Sequence, residues 1–121
     1  MSINKKVNGL KRNAGFLEGK TKIGLDDVIA KFPEKVTIRN IAIINDEKHD
    51  SKYVAMTCDE MEGYFFFGGS VIARAVQEII TEAYAGSTKD FATEVNKEGW
   101  EVRFELVRSK NGNTYHKVVS L

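Results

Sequence analysis

Apolar positions along the chain recur with two periods, and the change from one to the other marks out its elements. Val36–Ile44 (VTIRNIAII) is rich in β-branched residues and predicts a strand. Its parity slips near Asn40, where Val36 and Ile38 hand over to Ile41 and Ile43, so a bulge is expected there. Lys52–Asp59 alternates, with Val54, Met56 and Cys58 on one face and Tyr53, Ala55 and Thr57 on the other. After a turn at Glu60–Gly63, Tyr64–Phe67 is a strand of four consecutive aromatics closed by Gly68 and Gly69. Ser70 then caps a predicted helix over Val71–Ala85, whose apolar stripe includes Ile72, Val76, Ile79 and Ile80, and Gly86 ends it. A second, less periodic helix is expected within Ser87–Gly99, capped by Ser87 and closed at Gly99. Trp100–Arg108 alternates again, with Trp100, Val102, Phe104 and Leu106 inward; Asn111-Gly112 signals a hairpin and Thr114–Val119 its return strand. Upstream, Leu25–Phe32 predicts a short helix with Asp26 and Asp27 in its first turn and Pro33 as its stop.

Only one helical region interrupts the strands, and short loops join the rest, which excludes an alternating βαβ architecture. A sandwich needs about seven strands. Five strands with a helix between the third and fourth is the order of the OB-fold barrel, which binds oligonucleotides on its strand 2–3 face and in flanking loops. The expected fold is therefore mainly β: a five-stranded OB-fold barrel over residues 25–121, preceded by an irregular arm at 1–24 and the short helix. Phe16 and Leu17 are the arm's candidate anchors onto the domain.

With 121 residues, 42% apolar and 29% charged, the chain can bury a core without disulfide staples, and wholesale disorder is excluded. No apolar run approaches the ~20 residues that span a bilayer, and the N-terminus lacks a signal-peptide apolar region. One cysteine, Cys58, excludes an internal disulfide and a multi-thiolate zinc site, and it fits a reducing cytoplasm. The formal charge of +1 is unevenly spread. Residues 1–22 carry Lys5, Lys6, Lys11, Arg12, Lys20 and Lys22 against Glu18 alone, and the last 22 residues are also basic, while the middle is acidic. Such a patch attracts a polyanion; a solvated basic arm is the plainer alternative.

Catalytic signals are sparse, and no enzyme activity and no cofactor are expected. Gly19-Lys20-Thr21 resembles the end of a phosphate-binding loop, but Ala14 stands where that motif needs its first glycine. His49 lies among Asp46, Glu47 and Asp50 in a polar loop, where solvation explains it better than a metal. Cys58 falls on the inward face of its strand, as an inert core thiol would. Single-stranded nucleic acid, by contrast, needs cations along the phosphates and flat rings for the bases, each stack contributing roughly 1–3 kcal/mol. By alternation, Tyr64 and Phe66 share one face of their strand and Phe65 and Phe67 the other. Tyrosine prefers the wet side because its hydroxyl needs a partner, so Tyr64 and Phe66 are expected outside, joined by Tyr53 next to Lys52. Arg39 and Arg103 also alternate outward. The expected nucleic-acid-binding set is Lys5, Lys6, Lys11, Arg12, Lys20, Lys22, Arg39, Lys52, Tyr53, Tyr64, Phe66, Arg103 and Lys110. A one-residue slip would exchange the two ring pairs. Core packing accounts for such an aromatic run about as often, and a dimer interface is its chief rival.

The basic segment NKKVNGLKRNAG, the strand order, and YFFFGGS followed directly by VIARAVQEI resemble the small OB-fold single-stranded-DNA-binding proteins of tailed bacteriophages, particularly the lactococcal-phage type. That resemblance covers most of residues 35–121. It implies sequence-nonspecific coating of single-stranded DNA during phage replication and recombination in the host cytoplasm. Homodimers or higher oligomers, and cooperation with a host recombinase, are implied too. The chain ends HKVVSL, without the acidic tail by which bacterial relatives recruit partners. The rival functional reading is a protein-interaction module whose aromatic face binds a host or phage protein, and RNA competes with DNA as the nucleic acid.

Overall fold

The computed structural model describes residues 15–121. In chain order these are a 3-10 turn at Gly15–Leu17, β1 (Thr21–Lys22), α1 (Leu25–Lys31), β2 (Val36–Asp46), β3 (Ser51–Cys58), a second 3-10 turn at Asp59–Met61, β4 (Tyr64–Gly68), α2 (Ser70–Ala83), α3 (Thr88–Glu98), β5 (Trp100–Arg108) and β6 (Thr114–Ser120). The strands form one mixed sheet in the order β1-β4-β3-β2-β5-β6. All neighbours are antiparallel except β1 and β4, which run parallel.

Register follows from the apolar alternation. Ile41 pairs with Met56 and Met56 with Phe66, while Val36 pairs with Val102, so cross-strand partners drive the same face inward. Over that inner face lie three helices. Ile72, Val76 and Ile80 come from α2, Phe91 and Val95 from α3, and Leu25 and Val28 from α1. Each fully buried large side chain contributes roughly 1.5–3 kcal/mol of transfer free energy. Gly68 is part of this fit: a Cβ there would meet Val54 Cγ2 at 2.9 Å and Ile72 Cδ1 at 3.0 Å. The chain can therefore pass directly from β4 into α2 only because this position is glycine.

The expected bulge is present, as a register shift between Ile38 and Asn40. It turns Arg39 toward neighbouring elements. Arg39 Nε and Nη2 donate to the two carboxylate oxygens of Asp59 at 3.0 and 2.7 Å, and Nη1 donates to Asn96 O at 3.0 Å. Asn96 Nδ2 in turn donates to Asn40 Oδ1 at 2.8 Å. The bulge, the second 3-10 turn and the end of α3 are thereby clamped together.

Several expectations need adjustment. Ser70 is the first helical residue rather than the cap; Gly69 holds the cap position and no side chain caps α2. That helix ends at Ala83, and the Tyr84 and Gly86 N–H groups both donate to Ile80 O. Ser87 does cap α3, accepting from the Asp90 N–H at 3.2 Å, and Gly99 closes it at φ 77°. The sheet has six strands rather than five, because Thr21–Lys22, expected in an irregular arm, pairs with β4. Thr21 N–H donates to Gly63 O and Ile23 N–H to Phe65 O, at 2.9 and 2.8 Å. The sheet is open: its end strands β1 and β6 do not pair with each other. Instead α1 touches both β4 and β5. It is also tied to β6 where His116 Nε2 donates to Asp26 Oδ1 at 2.6 Å. No helix among the described residues is long and apolar enough to cross a membrane.

Candidate functional site

The same alternation that fills the inner face leaves a second apolar surface on the outer side of β2, β3 and β4. Ala42, Ile44 and Ala55 are buried there, with Tyr53, Phe67, Phe16 and Leu17 packed against them. Ala55 pairs with Ala42 on one side and Phe67 on the other. Two adjacent alanines make a shallow floor, and the rings stand around it. Phe67 is the hub, meeting Tyr53 edge-on at 5.2 Å between centroids and Phe65 at 5.5 Å. All three rings are half-buried. Lys22, exposed on β1, holds its Nζ 5.2 Å from the centroid of the Phe67 ring. A cation over a ring at this distance is attracted by the π face, by about 0.5–1 kcal/mol at an exposed site. Among the described residues Lys22 makes no ion pair. Partial burial, with Asp46 nearby, raises the Tyr53 phenol above its ordinary pKa, so its hydroxyl stays a neutral donor.

This places Tyr53 where the alternation predicted, puts Lys22 on a strand where an irregular arm was expected, and corrects the choice of ring pair in β4. Phe66 is 0% exposed; its ring meets Phe104 edge-on at 5.7 Å in the core, where no base can reach it. Phe65 and Phe67 are the outward pair. Tyr64 shares the inward parity of Phe66 but begins the strand, and stays 42% exposed. Its hydroxyl thus reaches water at the end of the strand instead of on the opposite face.

The expected phosphate contacts divide in the same way. Arg39 is spent on Asp59 and the α3 carbonyl, and that hydrogen-bonded pairing raises the guanidinium pKa and lowers the Asp59 carboxyl. Arg103 faces outward but donates to Glu105 Oε2 at 2.8 Å, and Lys117 lies 3.3 Å from Glu105 Oε1. These two cations hold the Glu105 carboxyl below its usual range. Lys52 is exposed at the start of β3, on the parity opposite Tyr53, and Lys110 lies in the β5–β6 turn, with β3 and β2 between it and β4. Lys20 is half-exposed just before β1. Lys5, Lys6, Lys11 and Arg12 lie outside the described residues. Phe16 and Leu17 do anchor the arm, and they anchor it on this aromatic floor.

The remaining titratable groups singled out in the sequence are hydrogen-bonded or buried. His49 Nδ1 is bonded to Asp46 Oδ2 at 2.8 Å within the β2–β3 turn, which lowers the Asp46 carboxyl. Cys58 is buried, and desolvation pushes its thiol up to about 11, so little nucleophilic thiolate forms near neutrality. Among the described residues no three acidic, histidine or cysteine side chains gather as a metal site would require. No family model, curated protein or solved structure matches this chain, so the meaning of the aromatic face rests on its own geometry.

Proposed function

We propose that the outer face of β3 and β4 binds single-stranded DNA with little sequence preference and no catalytic step. The bases stack on Tyr53, Phe65 and Phe67, and Lys22 meets the phosphates. The observation that carries the proposal is the joined set of three half-exposed rings with a cation over the central one. Stacking on such rings is sequence-tolerant because every base has a π face. Phe16 and Leu17 of the arm pack on the same floor, and Lys22, also from the arm, holds its charge over the Phe67 ring. Arg39 and Arg103 are left out of the phosphate path because their donors are already used.

The finer fold assignment belongs to the same proposal. The neighbour order β4-β3-β2-β5-β6 is that of an OB-fold opened between its third and fifth strands, with α1 in the gap. The setting implied by the phage resemblance, coating of replication and recombination intermediates, is proposed with it.

Titration of the protein with oligo-dT at low salt, followed by tyrosine fluorescence and mobility shift, tests this reading. The expected result is binding that weakens steeply with salt as counterions are released. Absence of a shift at low salt would overturn the proposal and favour a protein partner for the aromatic face.

A further inference from the structure

Strand pairing lays the outer face out in rows. Asn40 stands beside Thr57, Ala42 beside Ala55 with Phe67 next, and Ile44 beside Tyr53. The middle row is a trough, because two methyl groups lie there between larger neighbours. On the β1 side of Phe67 stands Lys22, which leaves the alanine side of that ring for a stacked base. Phe16 and Leu17 already pack into that place.

What holds these two side chains down is slight. Thr21 and Ile23 donate their N–H groups to the β4 side of the sheet. Upstream of them, the backbone bonds of residues 15–20 among the described residues are internal to the turn. Glu18 N–H donates to Gly15 O at 3.2 Å, and Lys20 N–H donates to Leu17 O at 3.1 Å. The turn therefore meets the sheet through the side chains of Phe16 and Leu17, both only half-buried. Gly19 joins the turn to β1 at φ 77°, a left-handed conformation that glycine adopts without strain.

We propose that Gly15–Leu17 is an autoinhibitory strap. Phe16 and Leu17 occupy the place a base takes, and they swing off it about Gly19 when single-stranded DNA binds. β1 and Lys22 stay on the sheet throughout. The inference rests on the stacking function proposed above and adds its regulation. Closed, the strap keeps an apolar trough from open contact with other surfaces. The ligand then binds only the open fraction of chains, so its apparent affinity is reduced by that fraction. Displacement requires bases, since phosphates alone meet Lys22 without entering the trough.

Oligo-dT titration of a Phe16→Ala/Leu17→Ala variant at low salt tests this. The variant should unfold at a lower temperature and keep its circular-dichroism spectrum. It should bind about tenfold tighter, as loss of the closed state predicts. A role confined to packing would lower the midpoint and leave affinity unchanged. An abasic oligonucleotide of equal length should bind both proteins alike. Gly19→Ala is the second variant: its Cβ meets nothing within 4 Å, yet alanine is strained at this φ. That strain falls on the closed strap alone, so oligo-dT binding should tighten by about fivefold. If the double variant loses its fold, Gly19→Ala decides. Equal or weaker binding by the folded variants, beside an unmodified chain that binds, would overturn the strap and leave the stacking function standing. So would equal tightening toward the abasic oligonucleotide. Failure of every form to bind would remove the stacking function itself, and the strap with it.

Discussion

The inner and outer faces of β2–β4 are both apolar, but they are covered by very different means. On the inner face Val54, Met56 and Phe66 lie under three helices and are fully buried. On the outer face the alanine floor is flanked by rings, and among the described residues the only element over it is the 3-10 turn carrying Phe16 and Leu17. Strand alternation fills both faces, whereas the degree of closure depends on what the rest of the chain can lay across each. A face covered by three helices serves stability. One covered, among the described residues, by a three-residue turn leaves its rings half-exposed.

The comparison breaks most visibly in β4, where adjacent phenylalanines belong to opposite faces. Phe66→Ala should cost about 3–5 kcal/mol, as expected for a large core ring replaced by a cavity. Phe65→Ala should cost roughly 1 kcal/mol, since a half-buried ring forfeits only part of its transfer free energy. Urea unfolding of both variants measures this directly, and equal losses would mean the two faces are equally closed.

Binding should reverse that ranking. Tyr53→Ala and Phe67→Ala should each weaken oligo-dT affinity by about 1–3 kcal/mol, or roughly 5- to 150-fold. Their folds should survive, because the core beneath is untouched. A titration in which both variants bind like the unmodified protein would separate the rings from the ligand and leave them a packing role only.

A third difference is electrostatic. Among the described residues Cys58 is the one ionisable side chain buried in the inner core, whereas depressed carboxyls lie in the turns and on the outer surface. Asp59 is lowered by Arg39, Glu105 by Arg103 and Lys117, and Asp46 by His49. A carboxyl held lower in the folded state than in the unfolded chain stabilises the fold fully above its unfolded value, about pH 4, and loses that contribution as pH falls through the folded value. The unfolding midpoint should therefore decline below about pH 4. Arg39→Ala should lower the midpoint at neutral pH yet flatten the acid decline, because Asp59 then titrates alike in both states. Parallel pH profiles for the two proteins would show that the Asp59 carboxylate draws no stability from Arg39.

Much of this was legible in the residues. Alternation in β2 and β3, the inward Val102 and Phe104 of β5, the bulge near Asn40, the Ser87 cap and the Asn111-Gly112 turn are local signals, and the structure follows them, whereas Leu106, expected inward, is 53% exposed toward the far end of β5. The ring pair of β4 was not, because four aromatics carry no alternation of their own. Their face is set by the Met56↔Phe66 register, hence by the length of the Asp59–Met61 turn and by Gly63 at φ 85°. One clue was available: Gly68 lies in phase with Phe66, and a glycine inside a strand often marks a close approach of neighbouring groups. Tyrosine's preference for water pointed the wrong way because a strand end satisfies it as well as an outer face does. The roles of Arg39 and Arg103 were hidden for another reason. Alternation reports where a side chain leaves the sheet, while the acids that engage it come from distant positions or from its own strand, as Asp59 and Glu105 do.

The smallest expected effect distinguishes the two halves of the outer surface. Across β1, β4 and β3 the cation is Lys22, with a ring as its only described partner; across β5 and β6, Arg103 and Lys117 share Glu105. A cation already paired with a carboxylate releases few counterions from a bound polynucleotide, since recruiting it exposes an unpaired anion. Lys22→Ala should therefore reduce the slope of log affinity against log salt by about 0.7, the value for one phosphate contact on a single strand. Arg103→Ala should leave the slope nearly unchanged. Oligo-dT titrations over a range of salt concentrations give both slopes. A larger change for Arg103→Ala than for Lys22→Ala would move the phosphate path off β1 and onto β5, away from the rings.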